Sequence, residues 1–214
     1  MPRITVTLKG ADKVIAGLER KQEDYKKALK KTVSDMKSRA PGKIASCVTE
    51  VYNIKKAEVN PSSTKQGKKA VTLHITGETI EALAFEYKGR LLTPTHFGMS
   101  PKAPPAGRGY KLTATIKKAD GKKRIGTYLP TRTPGGPHSQ QTSFILMGTG
   151  NARAEGTNFI PFQRQSPQRT DIKKMTTLSV PQMIRNEEQV QPAIQTALSD
   201  LLRSRLDYHM SKVK

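Results

Sequence analysis

The chain has no tryptophan, five phenylalanines and six tyrosines, so aromatic residues make up only 5% of its 214 positions. Hydrophobic residues of every kind reach 35%, and the mean hydropathy is -0.60. A monomer built this way has modest apolar area to bury against its chain entropy, so part of its stability is expected to come from neighbours. Cys47 is the only cysteine, which excludes an intrachain disulfide and gives no reason to expect an oxidising compartment. No apolar run approaches the roughly 18 residues of a membrane span. The opening Met1-Pro2-Arg3-Ile4-Thr5-Val6 lacks the basic head and apolar run of a signal peptide. A cytoplasmic chain with no membrane association is therefore expected, organised as a single domain over 1–214.

Catalytic patterns are equally scarce. His74, His96, His138 and His209 lie far apart, and Cys47 has no cysteine or histidine at zinc spacing. No Gly-x-Ser-x-Gly elbow is present, and Cys47 falls in a helical pattern, where a small buried thiol is the ordinary reading. Glu78 and Glu81 form a pair of acids on a polar stretch, which usually means a solvated face. Gly107-Arg108-Gly109-Tyr110-Lys111 and Gly148-Thr149-Gly150 match neither the P-loop spacing nor the dinucleotide fingerprint. The expectation is a chain that is not an enzyme, with no catalytic residue, cofactor or metal.

Acidic residues are also few, 17 Asp/Glu against 38 Lys/Arg, for a net charge of +21. The excess is uneven. Residues 1–69 carry +10, residues 70–87 carry only Glu78, Glu81 and Glu86, residues 88–174 carry +13, and residues 175–214 carry +1. Two basic stretches and a balanced C-terminal segment suggest differentiated surfaces facing polyanions or acidic proteins.

The pattern predicts an α+β fold with a long N-terminal helix, a small antiparallel sheet of about four strands, and a C-terminal helix. Ile4, Val6 and Leu8 alternate as a short strand. From Val14, the residues Ile15, Leu18, Gln22, Tyr25, Leu29, Thr32 and Met36 recur at spacings of three and four, with Lys26, Lys27, Lys30 and Lys31 opposite. An amphipathic helix with a solvated lysine face outweighs a DNA-reading helix here. Gln22 and Thr32 interrupt its apolar stripe, and Pro41-Gly42 is expected to break or kink it. A second helical piece at 43–50 and a short helix near 54–59 follow. Strands are predicted at 70–76, ending at Gly77, and briefly at 84–87. Residues 93–109 read as a mobile, breaker-rich loop.

Leu112, Ala114 and Ile116 then alternate toward Asp120-Gly121, a two-residue hairpin turn, with 124–129 returning. A second mobile loop covers about 130–142, followed by strands at 143–147 and 158–164. At the end Val190, Ile194, Ala197, Leu198, Leu201 and Leu202 recur at helical spacing, with Asn186 as the expected cap. Lys117, Lys118, Lys122, Lys123 and Arg124 crowd the hairpin tip, a basic surface suited to phosphates or to an acidic partner. The plainer reading is a solvated tip whose lysines discourage edge pairing. Tyr110 and Tyr128 lie near, without the aromatic interleaving of an RNA-stacking sheet.

Three stretches in this order resemble the prophage minor tail protein Z family. They are a lysine- and alanine-bearing helix leading to Val51-Tyr52-Asn53-Ile54-Lys55, the basic hairpin followed by Ser143-Phe144-Ile145-Leu146-Met147, and Leu178-Ser179-Val180-Pro181-Gln182-Met183-Ile184 before the terminal helix. The Ser-Val-Pro-Gln-Met run is the most specific. Phe159-Ile160-Pro161-Phe162-Gln163-Arg164 supplies the basic strand that follows in such proteins. The initial strand and the insertion at Pro130 to Gln141 depart from the family pattern. The resemblance implies a virion protein of the tail or neck in a long-tailed phage, assembled in the host cytoplasm and repeated as a hexameric ring around the tail axis. It completes the upper tail so that the tail joins the head. Its implied neighbours are the tail terminator and head-completion or connector proteins, with weak contact to DNA in the lumen. The alternative is a sequence-independent nucleic-acid-binding protein, favoured by the net charge and the hairpin lysines.

Overall fold

The computed structural model describes residues 3–7 by their backbone, together with 23–61, 71–106, 109–128, 143–147, 159–166 and 171–213. The fold is α+β, with a long helix early, small antiparallel sheets between, and a helix at the end. Its described strands form three sheets rather than one of four, and they divide between two compact units. The first unit takes 1–51, 55–90 and 179–214; the second takes 52–54 and 91–178.

In the first unit, helix α1 runs from Glu23 to Val51, with Glu23 and Asp24 favourably placed in its first turn. The expected break at Pro41 does not occur, and the two predicted helical pieces are one. An interior proline removes an amide hydrogen bond and costs about 3 kcal/mol. Ala40, Pro41, Ile44, Ala45 and Val48 are all buried, and that burial offsets the cost. The buried face also differs in register from the sequence stripe. It runs through Ala28, Thr32, Met36, Ala40, Ile44 and Val48, while Tyr25 and Leu29 are only half-buried. Thr32 does not interrupt it, because its hydroxyl donates to the Ala28 carbonyl at 2.9 Å. The stripe positions 14–22 lie outside the described residues.

A four-residue helix, α2 (Lys56–Val59), precedes a sheet of β1 (Arg3–Thr7), β2 (Val71–Thr76) and β3 (Ala84–Gly89), ordered β1-β3-β2 and antiparallel throughout. The central strand buries Phe85 and Tyr87 completely. Gly77 ends β2 as expected: its φ is +91°, and a Cβ there would strike the Ala82 backbone. Helix α3 (Val180–Ile184) packs on β3 and β1, and α4 (Val190–Met210) packs against α1. A 3.1 Å pair between Asp35 Oδ2 and His209 Nε2 ties α4 to α1. Asn186 does not cap α4 itself. Its Oδ1 accepts from the amides of Glu188 and Gln189, ordering the turn that leads into the helix.

In the second unit, β4 (Tyr110–Ala114) pairs with β5 (Lys123–Tyr128), with a bulge between Leu112 and Thr113. Strands β6 (Ser143–Met147), β7 (Phe159–Arg164) and β8 (Ile172–Lys174) form an antiparallel sheet ordered β6-β7-β8. The short β8 has no counterpart in the sequence pattern. Met99, Leu112 and Ile145 form the unit's core cluster, flanked by Tyr110, Ile125, Phe159 and Met175. The two sheets approach closely where Gly126 leaves room for the buried Ser143, and the Tyr110 hydroxyl accepts from the Ile145 amide at 3.0 Å.

The breaker-rich segment after residue 92 contains a 3-10 turn at Pro94–Phe97, with Phe97 and Met99 buried. Ser100 and Thr113 exchange backbone hydrogen bonds at 2.9 Å each way. The other expected loop, at 130–142, lies outside the described residues, as does the strand end at Leu8.

Candidate functional site

The basic hairpin is not closed by a two-residue turn. Strand pairing stops at Ala114 and Lys123, and residues 115–122 connect them. Other partners claim the backbone beyond Ala114. The Thr115 amide donates to the Phe97 carbonyl at 3.0 Å, the Asn53 amide donates to the Ile116 carbonyl at 2.9 Å, and Tyr52 bridges Lys117 in antiparallel sense. Asp120 and Gly121 remain at the tip, where Gly121 takes φ +65° and their amides donate to the carbonyls of Lys117 and Lys118, both at 3.3 Å.

The five predicted cations gather at this tip without forming one face. Lys118, Lys122, Lys123 and Arg124 are exposed and Lys117 is half-buried. Lys123 and Arg124 are consecutive in β5, so they project to opposite sides of the hairpin. Lys123 pairs with Asp120 at 3.0 Å, but both groups are exposed, so the bond adds little stability. Among the described residues, Lys117, Lys118, Lys122 and Arg124 have no carboxylate partner. Across the whole second unit 14 Lys/Arg stand against three Asp/Glu, whereas the first unit has 24 against 14.

Tyr52, Asn53 and Ile54 are the short excursion of the chain into the second unit, and the hairpin base holds them there. Tyr52 and Ile54 are buried, and Gly98, at φ +65°, leaves the Asn53 side chain room that a larger residue would narrow. Ser179, Val180, Pro181, Gln182 and Met183 lie where the chain returns to the first unit. Ser179 is fully buried and caps α3 reciprocally with Gln182: the Gln182 amide donates to Ser179 Oγ at 3.4 Å, and the Ser179 amide donates to Gln182 Oε1 at 2.8 Å. Pro181 sits in the first turn, where its missing amide costs nothing. Both sequence runs are thus backbone fixtures at chain crossings between units.

Sequence reasoning missed a second concentration of aromatic and basic groups. On the β6-β7-β8 sheet, Phe144 and Phe162 are cross-strand partners with ring centroids 6.4 Å apart and planes 20° apart. The Arg164 guanidinium lies over Phe144 at 5.6 Å from its centroid. The signal was the period of two in both strands, which places Phe144 with Leu146, and Phe162 with Ile160 and Arg164, on single faces.

Burial pushes the Cys47 thiol up, with Glu50 adding to the effect, and burial pushes the Tyr87 and Tyr110 phenols up. Tyr208 is held below the ordinary tyrosine value by its hydrogen bond from Lys212. Among the described residues, no group of three or more His, Cys, Asp or Glu is placed to hold a metal ion, and no helix is long and apolar enough to cross a membrane. Comparison with protein-family models, with curated proteins and with solved structures yields no match.

Proposed function

We propose that this chain is a structural virion protein of a long-tailed phage, a tail-completion component of the neck that prepares the tail to join the head. The observation that carries the reading is the ordered set of family-like runs, each with a structural task. Tyr52-Asn53-Ile54 docks on the base of the hairpin, and Ser179-Val180-Pro181-Gln182-Met183 starts α3 with a reciprocal cap. In this reading the chain repeats as a ring around the tail axis, a hexamer, with the tail terminator and head-completion proteins as neighbours. Stability drawn from neighbours is consistent with the low hydrophobic content. Proteomic analysis of purified tails and immunogold labelling are expected to place the chain at the head-proximal tail end. Its absence from purified virions would refute the proposal.

A second reading, sequence-independent contact with nucleic acid, is favoured by the unneutralised cations at the hairpin tip. Neutralising Lys118, Lys122 and Arg124 together is expected to lower the salt slope of polyanion binding by about 2–3. An unchanged slope would remove the tip from the contact.

A further inference from the structure

We propose that the outer face of the β6-β7-β8 sheet is a stacking platform for single-stranded nucleic acid. This rests on the second reading above, that the chain contacts nucleic acid, and adds a site separate from the hairpin tip.

The two faces of the sheet are assigned by strand register. Ile145 belongs to the core cluster and Phe159 packs against it, and their side of the sheet includes Met147, Pro161, Gln163 and Lys173. The opposite side carries Phe144 and Leu146 from β6, Ile160, Phe162 and Arg164 from β7, and Ile172 and Lys174 from β8. The Arg164 to Phe144 contact confirms that these side chains share a face. Leu146 is 41% exposed, Lys174 is exposed, and the two phenylalanines are half-buried.

The chemistry of this face is specific in three respects. It sets two aromatic rings side by side on neighbouring strands, and an aromatic ring or a stacked guanidinium offers a planar surface to any unpaired base. It brings cations to the same rings, Arg164 over Phe144 and Lys174 across the ladder from Phe162. It has no carboxylate among its described residues; Asp171, one position before β8, falls in register with Gln165 and so with the opposite face.

Charge and shape choose the occupant. The unit's 14 basic and three acidic residues complement a phosphate chain and oppose the same face of a second copy, which would bring Lys174 against its equal. A paired duplex hides its base faces in its own stack, so the rings select a single strand.

The test is fluorescence anisotropy of the full chain with a labelled oligothymidylate of about 20 nucleotides and a duplex of the same length, at about 50 mM and about 200 mM salt. Dextran sulfate serves as a base-free polyanion competitor. Wild type is expected to bind the single strand more tightly than the duplex. Phe162→Leu and Phe144→Leu, which keep apolar bulk in the strands, should each weaken single-strand binding about tenfold while leaving the affinity for dextran sulfate, taken from the competition curves, unchanged. Arg164→Gln, checked by circular dichroism, gives a second reading should either phenylalanine variant fold poorly, and should weaken the single strand more than the duplex. Unchanged single-strand affinity in these variants, with binding lost when Lys118, Lys122 and Arg124 are neutralised, would overturn the platform and leave the hairpin as the contact. No binding of strand or duplex at the lower salt would overturn the second reading as well. Loss of self-association in the Phe variants without any nucleic-acid effect would make the face a protein contact and reject the proposal.

Discussion

The two compact units share one chain and nearly equal net charge, +10 and +11, yet they reach it differently. The first, with 123 residues, mixes 24 basic with 14 acidic side chains over a helix-and-sheet core. The second, with 91 residues, carries 14 basic against three acidic over a core that includes Phe97, Met99, Leu112 and Ile145. The same net charge thus means a largely interspersed surface in one unit and a one-signed surface in the other. Electrostatic recognition is expected from the second.

The comparison is tested most severely by two glycines, one in each unit. Gly77→Ala places a Cβ against the Ala82 backbone at a positive φ, where no rotamer change relieves it, and is expected to cost about 3 kcal/mol or more in urea unfolding. Gly126→Ala meets the Ser143 side chain instead. A cost of about 1–3 kcal/mol is expected, partly recovered by adding Ser143→Gly. Equal costs, or no rescue, would contradict this contrast between a backbone clash and a side-chain clash.

Ser179→Ala removes the cap that starts α3 and is expected to cost about 1 kcal/mol. Two tyrosines then give opposite signs. The Tyr110 hydroxyl accepts from Ile145, so Tyr110→Phe should destabilise by about 1 kcal/mol; among the described residues the buried Tyr87 hydroxyl has no hydrogen-bond partner, so Tyr87→Phe should be neutral or stabilising by up to about 1 kcal/mol. Destabilisation by Tyr87→Phe in thermal melts would contradict the burial of an unpaired hydroxyl.

The pH dependence has a definite sign. Tyr87 and Tyr110 have raised folded values, so their neutral forms stabilise the fold fully below the unfolded value near 10, and this stability is lost as pH rises above it. Tyrosinate absorbance should show Tyr208 ionising early and Tyr87 only with alkaline unfolding, an order that Tyr208→Phe and Tyr87→Phe would each identify by removing one step.

Periodicity made both long helices and every described strand except β8 legible in the sequence, because alternation and helical spacing report directly on local burial. It did not reveal how the strands group. Ile116 alternates as though the hairpin continued, but its carbonyl binds Asn53, a partner more than 60 residues away that no local pattern encodes. Pro41 was misleading for the same reason: local chemistry predicts a break, and tertiary burial of Ala40, Pro41 and Ile44 overrides it. At the candidate sites, the hairpin cations were legible as a cluster. The pairing of Lys123 with Asp120, three residues apart, follows from the local geometry of the turn, whereas the Phe144–Phe162 face required strand register, which depends on contacts between distant segments.

The proposed role in tail completion is tested most directly by head joining in vitro. Tails assembled without this chain, mixed with filled heads, are expected to give no infectious particles until the purified chain is added before mixing. Tails that lack the chain and still join heads at normal yield would contradict the account.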